Sequence, residues 1–152
     1  MCEVFIDPKK VNIEYDESVW ETFRQHQQKH REAESGGILV GEIYPESSKI
    51  IVKKAIVSLK AKRTLYGIRI DMEEMQSKLD FERKESGYAY YYLGNWHTHP
   101  EPYPTPSWTD KWTYRKNTKE VELVSNFILF TIIGNAEDIY KSLWQKIYFL
   151  DC

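Results

Sequence analysis

Between His99 and Ser107 every second residue is proline: Pro100, Pro102, Pro104 and Pro106. A proline lacks the amide N–H, and it also bars the residue before it from the helical region. No helix or central strand can run through this stretch. It must be an extended, stiff loop, so the elements on either side are fixed independently of it. Upstream, Tyr88 to Trp96 is an aromatic run that reads as a strand and leads directly into His97. Downstream, Ser107 is placed to start a helix that runs to about Lys119.

The rest of the chain punctuates itself in the same way. Val4 to Ile13 contains material for one short strand. Asp16 or Ser18 caps a helix running to about His30, with Val19, Trp20 and Phe23 on its buried side. Gly36-Gly37 breaks the chain before Ile38 to Ile43, a buried strand, and Pro45 to Ser48 forms a turn. Lys49 to Leu59 is rich in Ile and Val and returns as a second strand, and Arg63 to Ile70 reads as a further one. Asp71 with Glu74 three residues on forms a capping box. The helix it opens has Met72, Met75 and Leu79 at core spacing and stops at Ser86-Gly87. Phe127 to Ile133 is a central strand. Ile139 to Leu150, after a turn near Gly134-Asn135, is a final strand that begins as a helical turn. The sum is a mixed α/β domain with one sheet and about three helices.

At 152 residues the chain has the size of one ordinary domain. A net charge of −2 gives no basic excess for a nucleic-acid partner, and no apolar run approaches the ~20 residues of a membrane span. The first ten residues carry no secretory core, so the expected compartment is the cytoplasm. Cys2 and Cys152 stand at opposite ends and read as two free thiols. Oligomeric state has no signature in the sequence.

The chemistry is concentrated in Asn95-Trp96-His97-Thr98-His99-Pro100, followed by Ser107 and Asp110. Strand alternation puts His97 and His99 on one side. Imidazole nitrogens suit Zn²⁺, and Asp110 can be the third protein ligand, leaving a fourth tetrahedral position for water. Ser107 and Asp110, three apart, share a helix face. The pattern His-x-His-x7-Ser-x2-Asp arises by chance in roughly a few chains per ten thousand, which separates it from a loose short motif. A zinc-water hydrolase also needs a general base. Spacing does not name it among 23 acids. Glu34 is a candidate because it stands at the mouth of the Gly-rich strand. A solvated residue at a helix end is the other reading of the same position.

Glu34-Ser35-Gly36-Gly37-Ile38-Leu39-Val40-Gly41 resembles the first motif of the JAB/MPN/Mov34 (JAMM) metallopeptidases, and His97 to Asp110 resembles the second at every defined position. The resemblance implies one JAB/MPN domain over residues 1–152, with a cytidine-deaminase-like curved central sheet flanked by helices. It implies zinc held by His97, His99 and Asp110, Glu34 as the base and Ser107 as donor to the oxyanion. Among members, the sequence is most similar to small bacterial stand-alone JAB proteins, including those of CBASS antiphage operons. Those act as deconjugases, which implies a protein substrate: a ubiquitin-like modifier or a conjugated protein, cut after its C-terminus. A JAB hydrolase of small peptides or cysteine-bearing substrates shares the same motif. A non-catalytic MPN scaffold would typically lack metal ligands that are present here. A nucleoside deaminase would need Cys-x-x-Cys, which is absent.

His26 and His30, four apart, read as part of a solvated helix face. Lys60, Lys62 and Arg63 read as a small basic surface cluster. Trp96 and Trp108 flank the metal motif, where they can pack in the core or line a groove for a substrate tail. The sheet edge near the site is a candidate to take up that tail by strand addition.

Overall fold

A computed structural model of the chain describes residues 2–120 and 124–151, with the side chains of residues 118–120 left aside. In chain order the elements are β1 (Asn12–Tyr15), α1 (Glu17–His26), β2 (Gly36–Tyr44), β3 (Lys49–Val57), β4 (Lys62–Thr64), β5 (Gly67–Arg69), α2 (Met72–Glu85), β6 (Tyr91–Thr98), α3 (Trp108–Glu120), β7 (Phe127–Ile133) and β8 (Leu143–Phe149). Short 3₁₀ turns fall at Pro45–Ser47 and Ile139–Lys141. Six strands form one sheet in the order β1-β3-β2-β6-β7-β8, while β4 and β5 pair only with each other. This is the mixed α/β architecture that the resemblance implies. Among the described residues no helix is long and apolar enough to cross a membrane.

Each face of the sheet is covered by what its side chains demand. On one face α1 buries Val19 and Phe23 against Leu39, Val52, Leu93, Trp96 and Leu129. On the other, Met75 of α2 meets Ile38 and Val40, and Tyr114 of α3 meets Ile128 and Phe130. Each fully buried residue of this kind contributes roughly 1.5–3 kcal/mol. A core of this size therefore tolerates the burial of a few unfavourable polar groups.

Strand β6 does not alternate simply. Tyr91 and Leu93 join the α1 side and Tyr90 and Tyr92 the α2 side, yet Trp96 also lies on the α1 side. The pairing with β2 slips between Leu39 and Val40: Leu39 faces Gly94 and Val40 faces Tyr92, so Leu93 is an extra residue. This bulge reverses the phase of the strand. Tyr92 and Asn95, three apart, are consequently on the same face, joined by a hydrogen bond from the Tyr92 hydroxyl to Asn95 Oδ1. Gly94 sits at the reversal with φ +157°, and a Cβ there would meet the Leu129 carbonyl oxygen at 1.7 Å. The reversal is what directs His97 toward α3.

Several boundaries differ from the sequence expectations. The first strand is Asn12–Tyr15, because Val4 and Ile6 instead bond to the segment before β7. Helix α1 stops at His26, since Gln27 and Gln28 leave the helix and donate to Gly134 O, Ala136 O, Glu32 O and Leu65 O. His30 is therefore not on the helix with His26. Residues 63–70 are not one strand but part of the β4–β5 hairpin. Met72, the first residue of α2, is exposed, leaving Met75 as the buried methionine.

Cys2 is disulfide-bonded, which corrects the expectation of a free thiol; the same expectation for Cys152 falls outside the described residues. Folding brings the two ends of the chain together. Asn126 exchanges hydrogen bonds with Ile6, and Leu150 N donates to Asn126 O.

Candidate metal centre

His97 lies on the last turn of pleat in β6, opposite Gly36 of β2 and Ile132 of β7. A Cβ on Gly36 would lie 2.6 Å from Trp96 O and 3.0 Å from His97 Cβ, so only glycine leaves the imidazole its place. His99 extends the pairing one step further through its N–H to Ile133 O. Two residues apart on the same side, the rings converge until their Nε2 atoms are 3.2 Å apart.

Asp110 closes the group from α3. Its Oδ2 is 3.0 Å from His99 Nε2 and its Oδ1 is 3.3 Å from His97 Nε2. The carboxylate is aimed by a reciprocal cap: Ser107 N donates to Asp110 Oδ2 (2.8 Å), and Asp110 N donates to Ser107 Oγ (3.1 Å). Ser107 Oγ thus accepts locally while its O–H remains available to donate outward. Ser107 itself is exposed at the rim.

Bond lengths of about 2.0–2.1 Å place the donors of tetrahedral zinc roughly 3.3 Å apart. The 3.2 Å between the two Nε2 atoms matches that edge, each ring also has one Asp110 oxygen within 3.3 Å, and two imidazoles with one carboxylate are a suitable set. The residues fit a metal. Glu34 stands next to them: one of its carboxylate oxygens and the two imidazole nitrogens lie within 4.8 Å of one another. Glu34, His97 and His99 thus form a group able to hold a metal ion, and the Asp110 carboxylate is in contact with both rings.

Glu34 is 3% exposed. Its backbone is clamped: N–H to Thr64 O, and carbonyl to Arg63 Nε at 2.6 Å. Arg63 Nη2 also bonds Ala33 O and Ser35 Oγ. Arg63 is therefore a brace for the Glu34 segment rather than part of a solvated cluster. On the far side, Ser35 and Thr98 exchange backbone and hydroxyl bonds, and Thr98 Oγ1 donates to Gln28. The Glu34 segment is thereby stitched to the strand that carries both histidines.

The local electrostatics push the two acids apart. Burial raises the Glu34 carboxyl to about 7; the nearby Asp110 adds to the rise and His99 opposes it. For Asp110, burial acts upward but is outweighed by bonds with His97 and His99 and from Ser107 N–H, so its pKa falls far below the ordinary range. His99 is lowered by burial and raised more by its bonds to Asp110 and Glu101. Two carboxyls with opposite shifts in one pocket are the signature of divided roles: one permanently charged, one able to carry a proton near neutrality.

Glu101 escaped the sequence reading. Its Oε1 lies 3.1 Å from His99 Nδ1 and accepts Thr105 N–H from the proline loop. A carboxylate on the distal nitrogen fixes the imidazole's tautomer and ring angle, leaving Nε2 free to ligate. The signal available was its position two residues after His99, the second histidine of the motif. Glu101→Ala is expected to weaken metal affinity about 10–100-fold with the fold intact, measured by chelator competition; an unchanged affinity would remove Glu101 from the site.

With this geometry in place, the relatives become informative. The model of the family described as "Prokaryotic homologs of the JAB domain" matches residues 16–146. The chain belongs to this prokaryotic JAB family. It is 28% identical over 130 residues to the "Probable metalloprotease y4qB" of Sinorhizobium fredii, covering 84% of this chain and 79% of that one. It is 30% identical over 113 residues to a "CD-NTase/cGAS isopeptidase" of Vibrio cholerae (73% and 67% covered). A protein of the same description from Pseudomonas aeruginosa is 29% identical over 107 residues (69% and 66%). The solution structure of DSY2949 from Desulfitobacterium hafniense shares the fold, with a TM-score of 0.64 at 20% identity, covering 91% of this chain and 84% of that one. This JAB domain is thus a hydrolase of the peptidase class with a metal-binding site. Its Trp96 lies in the core, with Nε1 donating to Ile56 O, whereas Trp108 is in solvent.

Proposed function

We propose that this JAB domain is a zinc-dependent isopeptidase that hydrolyses the bond after the C-terminus of a conjugated protein. The observation that carries the reading is the convergence of His97, His99 and Asp110 to within 3.3 Å of one another beside a buried Glu34 that can hold a proton near neutral pH. His97, His99 and Asp110 would hold the metal. Zinc, when bound, supplies Lewis acidity toward water and the scissile carbonyl. Glu34 takes the proton of the attacking water and delivers it to the leaving nitrogen, a transfer that needs a carboxyl poised close to the working pH. Ser107 O–H donates to the carbonyl oxygen as charge develops there, a contribution of a few kcal/mol in comparable sites. Asp110 stays ionised throughout, as its depressed pKa requires.

The relatives described as CD-NTase/cGAS isopeptidases support a protein substrate of that class, and a cytoplasmic site of action goes with it. The test is metal analysis joined to cleavage. Protein purified without added metal is expected to carry about one zinc per chain and to release a reporter fused to a CD-NTase C-terminus. Asp110→Asn is expected to lose both metal and cleavage. Zinc in Asp110→Asn at the wild-type level would displace Asp110 from the ligand set, and an inactive zinc-loaded wild type would exclude this substrate.

A further inference from the structure

Helix α3 turns its largest apolar side chains outward. Of its described side chains only Tyr114 is buried, while Trp108 is 84% and Trp112 63% exposed. The two tryptophans are four apart and form one ridge. Isolated exposed aromatics are ordinary, but an adjacent pair of tryptophans is the composition of binding hot spots. Lys111 Nζ lies 5.1 Å from the Trp108 ring centre and Lys116 Nζ 5.3 Å from that of Trp112. Neither lysine is paired with an acid among the described residues. The face therefore joins flat aromatic surface to two cations that have no acid partner among the described residues.

Its position is equally specific. Trp108 follows Ser107 directly, and Asp110 in the first turn of the same helix points inward to the histidines. The patch starts at the rim of the metal centre and runs about 12 Å outward along the helix at 1.5 Å per residue. A chain end held at the metal would bring the folded body it belongs to within that distance.

We infer that the outer face of α3 docks the body of the protein substrate, engaging an acidic and apolar patch next to the bond to be cut. This rests on the isopeptidase reading above. Lys111 and Lys116 select an anionic partner and the tryptophans an apolar one. A phosphate backbone fits less well, because the whole chain carries a net charge of −2 and the face offers only a short cationic row.

The experiment compares kcat/KM on two probes: a CD-NTase fused through its C-terminus to a reporter, and a short fluorogenic peptide of the same C-terminal residues. Trp108→Ala/Trp112→Ala is expected to cut the preference for the fusion over the peptide about 30-fold. Lys111→Glu/Lys116→Glu is expected to lower the same ratio and to flatten its dependence on salt. Circular dichroism and zinc content should match wild type, since these side chains are exposed. An unchanged ratio overturns the inference. So does a wild-type dimer in sedimentation that Trp112→Ala dissociates, or single-stranded DNA binding lost in the variants while the ratio holds. A wild type that cleaves neither probe removes the isopeptidase reading itself, and the docking surface with it.

Discussion

Glu34→Gln is expected to lower turnover about a thousandfold and at the same time to stabilise the metal-free protein. Both effects come from one property. The carboxyl is buried, and its pKa is pushed from 4.5 to about 7. In the unfolded chain Glu34 ionises near its ordinary value; in the folded protein it does not until about 7. A raised carboxyl favours the native state fully at pH below 4.5 and loses that advantage as pH rises through 7. Across that window the unfolded state gains from ionising while the folded state cannot. Glutamine has the same shape and no charge to bury, so the gap between Glu34→Gln and wild type should open between pH 4.5 and 7 and stay constant above. The gap is on the order of 1–2 kcal/mol after allowance for solvent at the mouth of the site. Chelator-treated proteins melted at pH 4, 6 and 8.5 give the answer directly. A gap that does not change with pH would mean that Glu34 titrates normally and is not poised as the base. Zinc content should be retained in Glu34→Gln, because the proposed ligands are His97, His99 and Asp110. A site residue that is costly to the fold and needed for the chemistry is the ordinary trade between stability and function.

The convergence of His97, His99 and Asp110, the metal ligands proposed above, was legible in the sequence because ligation restricts both residue type and spacing. His97 and His99 had to share a side of a strand, and Asp110 had to lie one turn inside a helix behind a stiff loop. The supporting residues were not legible, because their partners are remote in sequence. Arg63 looks like a surface cation until the hairpin folds it over residues 33–35. Gln27 and Gln28 continue a helical pattern, yet bonds to residues 134 and 136 and to Asn135 pull them out of α1. The joined chain ends at Ser125-Asn126 were likewise invisible from residue types at opposite termini. The aromatic run before His97 has the composition of a regular strand, although Tyr88 has φ 65° and pairing starts only at Tyr91. What decided the direction of both histidines was one extra residue, Leu93, and the glycine after it.

That point carries the second large prediction. Gly94→Ala is expected to destabilise the protein by on the order of 4 kcal/mol. An added Cβ would meet backbone atoms of Leu129, with its carbonyl oxygen at 1.7 Å, in a strand that is buried along its whole length. Neither strand can retreat, because β7 is held between β6 and β8. Gly87→Ala is the control. Gly87 also has positive φ (+64°), but nothing lies within 4 Å of its notional Cβ. Its replacement should therefore cost only the conformational preference, about 1–2 kcal/mol. Urea denaturation of the two variants separates the contributions. A loss at Gly94 no larger than at Gly87 would mean that the close approach to Leu129 is relieved at little cost. Any Gly94→Ala protein that does fold has a direct way to escape the clash, which is to abandon the bulge. Removing it restores simple alternation and turns His97 and His99 toward α1, away from Asp110. Such a protein should retain a sheet by circular dichroism and bind no zinc, so that loss of metal would accompany loss of the bulge even with all three ligand residues present.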